Sequence, residues 1–120
     1  MIVLPHDDIE HIRLWRAVLL QAFRDMLAVP KTAGTQAEYI ECGMQRRLAR
    51  SWLLNRSNDF DDVCALAALS PENVNHAARR LHRAIIQADY REAARIKRLV
   101  FATLISNPAS EEGQHMDISQ

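Results

Sequence analysis

Apolar residues recur along this chain at three- and four-residue steps in one segment after another, and nowhere do they alternate convincingly with period two. From Asp7, the positions Ile12, Trp15, Leu19, Ala22, Phe23 and Met26 share one side of a helix, while Arg13, Arg16, Arg24 and Asp25 lie largely outside it. This predicts a first helix, buried along one side and ending before Pro30. From Thr35, the residues Ala37, Ile40, Met44, Leu48 and Trp52 repeat the spacing, with Glu41, Gln45, Arg46 and Arg50 on the other sides. A second helix is expected there, buried through that stripe and closed near Asn55. The run Asn55-Arg56-Ser57-Asn58-Asp59 is turn-forming, because short polar side chains bond their own backbone in competition with a helix. A third helix begins in that run and continues to about Ala68, and a fourth runs from Pro71 to about Gln87. Ala93, Ile96, Val100, Thr103 and Leu104 mark a fifth. The expected architecture is all-α, about five helices in one domain over residues 1–106.

The boundaries carry their own chemistry. Asp7 with Glu10, Thr35 with Glu38 and Asp89 with Glu92 each place an N-cap acceptor three residues before a glutamate, an arrangement that satisfies two otherwise free amides. Ser70-Pro71-Glu72 is a further start: serine caps, proline at the first helical position lacks a donor that would have been unpaired anyway, and glutamate complements the helix dipole. Gly43 stands inside the second helix, where glycine costs about 1 kcal/mol against alanine, so a close helix crossing or a kink is expected. Trp15 and Trp52 lie on the apolar sides and read as core or subunit-interface residues.

One stretch narrows the function. In residues 60–79, FDDVCALAALSPENVNHAAR, apolar or small residues fall at Val63, Cys64 and Ala67, then at Leu69, then at Val74 and Ala77, with Leu81 beyond. Two short helices leaving a tight turn at a steep angle need this spacing to bury their shared side. The segment resembles the helix-turn-helix superfamily, with Cys64 at the small-residue position of the first helix, Ala68 at the glycine position of the turn and Val74 at the aliphatic position of the recognition helix. An alanine held left-handed costs roughly 1 kcal/mol, so either that strain is accepted or the turn is built differently. An ordinary helical hairpin inside a bundle has the same spacing. More loosely, the order WRAVLLQAFRDM, RRLARSWLL, DFDDVCALAALSPENV is similar to short phage- and prophage-encoded proteins of uncharacterised activity. That likeness implies a context rather than an activity, and it favours a phage-linked regulator.

Charge sharpens the picture. Lys plus Arg and Asp plus Glu number 15 each, yet residues 71–105 hold Arg79, Arg80, Arg83, Arg91, Arg95, Lys97 and Arg98 against Glu72, Asp89 and Glu92. Residues 107–120, with Glu111, Glu112 and Asp117, read as a disordered acidic tail. A basic helical pair can neutralise phosphates whatever the net charge. If the helix from Pro71 is a recognition helix, Ser70, Pro71, Glu72, Asn75, His76 and Arg79 are its positions nearest a major groove. Asn75 suits adenine, Arg79 guanine or a phosphate and Glu72 cytosine, while Arg80 and Arg83 suit phosphates. Arg91, Arg95 and Arg98 are weaker phosphate candidates.

Other chemistry finds less support. His6, Asp7, Asp8, Glu10 and His11 straddle a helix start without a repeated metal-ligand spacing, Cys64 has no histidine companion, and Gly34, Gly43 and Gly113 are isolated rather than a phosphate-binding loop. The expectation is a non-enzyme with no cofactor and no metal, with Cys42 and Cys64 reduced in a cytoplasmic protein, and no segment suited to a membrane or to export. The leading expectation is a sequence-specific regulator of transcription bound to double-stranded DNA as a homodimer. The alternative is a small helical adaptor for RNA polymerase or another host or phage protein of the transcription or DNA-packaging machinery.

Overall fold

Short polar side chains set where the helices begin. In the computed structural model, which describes residues 5–29 and 34–106 with side chains from residue 9 onward, the helices are α1 (Pro5–Leu27), α2 (Gln36–Asn55), α3 (Asn58–Leu66), α4 (Pro71–Ile86) and α5 (Tyr90–Ile105). The hydroxyls of Thr35, Ser57 and Ser70 accept from the amides of Glu38, Phe60 and Asn73, and the Asp89 carboxylate accepts from Glu92 N. The all-α expectation is met among the described residues. α1 differs at its start: it begins at Pro5, two residues ahead of the expected cap at Asp7, with proline at the position where its missing N–H costs nothing. The expected acidic tail, residues 107–120, lies outside the described residues.

The helix ends are closed less cheaply. Arg56, Ala68 and Ala88 take left-handed backbone at φ 50°, 57° and 55° just beyond α2, α3 and α4. After α3, Leu69 N donates to Cys64 O at 2.9 Å and Ala68 N to Ala65 O at 3.0 Å; after α4, Asp89 N donates to Ala84 O at 2.9 Å and Ala88 N to Ile85 O at 3.1 Å. Both are Schellman closures, which satisfy carbonyls that the helix leaves without partners.

The core is built around α1, which packs on α2, α3 and α5, while α4 packs on α5, α2 and α3. Leu19, Phe23, Leu53, Phe60, Val74, Leu81, Ile96 and Val100 are buried together. Trp52 meets Phe60 edge to face at 5.2 Å between ring centres. Both cysteines are free thiols. Burial and then the Asp61 carboxylate push the Cys64 thiol up to about 12, partly offset by Arg56, so it is neutral at physiological pH and serves as packing. No helix among the described residues is long and apolar enough to cross a membrane.

Two expectations are corrected here. Arg16, read as lying outside the apolar side of α1, is 2% exposed. Its Nε donates to Ala67 O at 2.9 Å and its Nη1 to Thr103 O at 3.4 Å, so one guanidinium joins the C-terminal ends of α3 and α5 to α1. On α2 the expected buried stripe faces out: Ile40, Met44 and Leu48 are 58%, 50% and 68% exposed. The inward side is Gly43 and Leu53, with Cys42, Arg46 and Ala49 half-buried. Helical spacing shows that a row shares a side, not which side meets the core. A Cβ added at Gly43 would come no closer than 3.4 Å to Arg47 Nη1, ordinary contact, so no close crossing demands glycine there.

Candidate nucleic-acid interface

The α3–α4 turn contains Ala67, Ala68, Leu69 and Ser70. Its left-handed residue is Ala68, the position where the superfamily resemblance calls for glycine, so the strain is accepted and the two bonds of the Schellman closure hold it. Leu69 is half-buried against the core, and Val63, Cys64, Ala67, Val74, Ala77 and Leu81 are buried between the helices. Ser70 caps α4 through its hydroxyl at 3.3 Å from Asn73 N, and Pro71 occupies the first turn.

With Val74, Ala77, Ala78, Leu81 and Ala84 turned inward, helical geometry sends Glu72, His76, Arg79, Arg83 and Ile86 along the opposite side. All five are exposed. Glu72 lies 3.8 Å from Arg56 Nη2, and Arg56 Nε is 3.1 Å from Asp61, so the turn before α3 is tied by charge to the start of α4. Ile86 extends the row and was missed from sequence, because selection by residue type favours polar side chains.

Asn75 is placed differently from its sequence role. It is half-buried on the flank facing α2. Its Nδ2 donates to Leu53 O at 2.9 Å and Leu54 O at 3.2 Å, and its Oδ1 accepts from Arg79 Nε at 3.0 Å. Arg79 Nη2 also donates to Leu54 O, at 2.8 Å. The pair therefore closes the C-terminal end of α2, satisfying carbonyls and placing a cation at the negative end of its dipole. No sequence signal announces this, since the contacts span more than twenty residues; the only hint is that α2 ends in Leu53-Leu54-Asn55 without a basic residue in its last turn.

Arg80 is drawn to α5, with Nη2 3.7 Å from Glu92 Oε1, which also holds Arg95 at 2.5 Å. Arg83, Arg91, Lys97 and Arg98 are exposed. His82 sits between α4 and α2, where burial, followed by the charge of Arg50, lowers its pKa below 6.5. Of the chain's expected metal-capable cluster, His6, Asp7 and Asp8 have side chains outside the described residues. The two faces of α4 are thus distinct: one side is buried in the core, and the other is an exposed, mostly polar row with Arg79 and Arg83 ahead of Ile86. Compared with protein families, curated proteins and solved structures, the chain matches none of them.

Proposed function

We propose that this protein binds double-stranded DNA as a sequence-specific regulator of transcription, with the outer row of α4 laid in the major groove. The observation that carries the reading is the α3–α4 junction: a tight turn with left-handed backbone at Ala68, a capped start at Ser70, and a recognition-type row on α4 whose opposite side is buried. Base-edge contacts fall to Glu72, His76 and Arg79, whose Nη1 has no role in the bonds to Asn75 and Leu54. Arg83 and the exposed cations of α5 suit phosphates. Asn75 supports the reading as the residue that fixes the angle of α4 against α2 rather than as a base reader. A single module buries only about 600–1,000 Å² on DNA, which favours a dimer for tight binding. The likeness to phage- and prophage-encoded proteins makes a phage-linked role part of this proposal.

Selection of bound duplexes from a random pool at moderate salt tests specificity and site together. Arg83→Ala is expected to weaken binding by about 1–3 kcal/mol and to flatten the dependence on salt, as for a lost phosphate contact. No affinity for any duplex at low ionic strength ends this reading. The adaptor reading draws on a separate observation, the outward apolar row of α2.

A further inference from the structure

Between α1 and α2, closed at one end by α3, runs an open cleft of about 640 Å³. Its floor and walls are apolar: Trp15, Val18 and Ala22 of α1 face Leu48, Ala49 and Trp52 of α2. Leu48 and Val18 are exposed and both indoles are half-buried, and Leu14 exposes further apolar surface on α1. The cleft spans Trp15 to Asp25 on α1, which at 1.5 Å per residue is roughly 15 Å, close to three helical turns.

Among the described residues its charge has one sign: the lining includes Asp25 and Asp59 and neither Lys nor Arg. Asp25 lies toward the C-terminal end of α1, and Asp59 lies at the α3 end, beside Trp52. Neutral donors hold each carboxylate in place: Gln21 Nε2 donates to Asp25 at 2.9 Å and Trp52 Nε1 to Asp59 at 2.9 Å. Both are therefore acceptors held at fixed positions, next to two indoles whose faces attract cations.

We propose that this cleft docks a cationic amphipathic helix of a partner protein, with its apolar side between Trp15 and Trp52 and a Lys or Arg near each end on Asp25 and Asp59. Helix-in-groove recognition uses anchors at i, i+3/i+4 and i+7, and three turns of groove accommodate them. A second copy fits less well, because two-fold pairing of this face sets Asp25 and Asp59 against the same carboxylates. The acidic residues 107–120 of the chain have the wrong sign as well. This site is separate from the outer row of α4, so it stands whether or not the chain binds DNA.

Selection from a displayed library of helix-forming peptides, about 15 residues long, against the full chain tests the proposal. Expected are enriched peptides with Lys or Arg flanking apolar residues at helical spacing, which perturb tryptophan emission on binding. Leu48→Glu, at an exposed position that keeps the fold, is expected to weaken them at least ~tenfold, and Asp25→Asn with Asp59→Asn to weaken them ~3–10-fold and remove their salt dependence. The proposal is overturned by enrichment of acidic peptides, by no enrichment, or by peptides that bind Leu48→Glu as well as the parent. It is equally overturned if sedimentation shows a dimer that Leu48→Glu converts to monomer, since a second copy is then the occupant.

Discussion

Ala68 and Ala88 each hold a left-handed backbone that glycine adopts freely, and the reason is positional: each follows a helix whose terminal carbonyls are closed by the next amides along the chain. An L-residue there carries about 1–2 kcal/mol of strain, part of which glycine returns as unfolded-state entropy. Ala68→Gly is accordingly expected to stabilise the protein by about 0.5–1 kcal/mol, seen as a melting temperature higher by roughly 2–8 °C. Ala88→Gly should behave alike. A fall in melting temperature for Ala68→Gly would mean that the methyl group does something the turn geometry does not reveal. At the same scale, His82 is an internal pH gauge. Burial and Arg50 favour its neutral form, so the folded chain binds fewer protons than the unfolded chain just below pH 6.5. Its contribution is complete above that pH and is lost as pH falls through 6.5 toward the lowered folded value. Urea midpoints at about pH 7.5 and pH 5.5 should differ less in His82→Gln than in the parent.

Among elements, the recurring device is a side chain from one helix satisfying the C-terminal carbonyls of another. Arg46 Nη1 donates to Ala28 O at 3.2 Å just beyond α1, Asn75 and Arg79 close α2, and Arg16 reaches Ala67 O beyond α3 and Thr103 O in the last turn of α5. Several polar residues that look available on a linear reading are therefore bound within the fold. Asn75→Ala removes two donated bonds to half-buried carbonyls, and a loss of about 1–2 kcal/mol is expected in urea unfolding. If the chain binds DNA as proposed, the variant should keep the parent's preferred duplex while folding less stably, since Asn75 bonds α2 carbonyls rather than facing outward. Unchanged stability with an altered duplex preference would return Asn75 to the role of base reader.

For the molecule as a whole, Arg16 is the joint. Three helices meet at its guanidinium, which is buried yet bonded to carbonyls at helix ends where positive charge is favoured. Arg16→Ala leaves a cavity and removes the Ala67 carbonyl's guanidinium donor, so about 2–4 kcal/mol should be lost, enough to unfold a marginal domain of this size. A loss below about 1 kcal/mol in urea unfolding would show that water replaces the guanidinium.

Much of this was legible from residues alone. The starts at Thr35, Ser70 and Asp89 follow from bonds that span three residues, and the buried set of the α3–α4 unit follows from a spacing that only a helix pair satisfies. These interactions are local, so the chain dictates them before any tertiary contact forms. The start of α1 at Pro5 was missed because two adjacent signals, a proline and an acidic box, competed within a few residues. Which side of α2 faces inward, the burial of Arg16 and the placement of Asn75 are of another kind. Periodicity fixes which residues share a side of a helix; the rotation of that helix is decided by its packing in the bundle, which turns Gly43 and Leu53 inward and leaves Ile40, Met44 and Leu48 exposed. Hydrogen-bonding type likewise shows that Asn75 and Arg16 need partners, while the partners come from carbonyls left over at distant helix ends. The sequence alone determined the helices, their caps and the α3–α4 unit, and only the packing of those helices decided which polar residues face solvent and which hold the ends together.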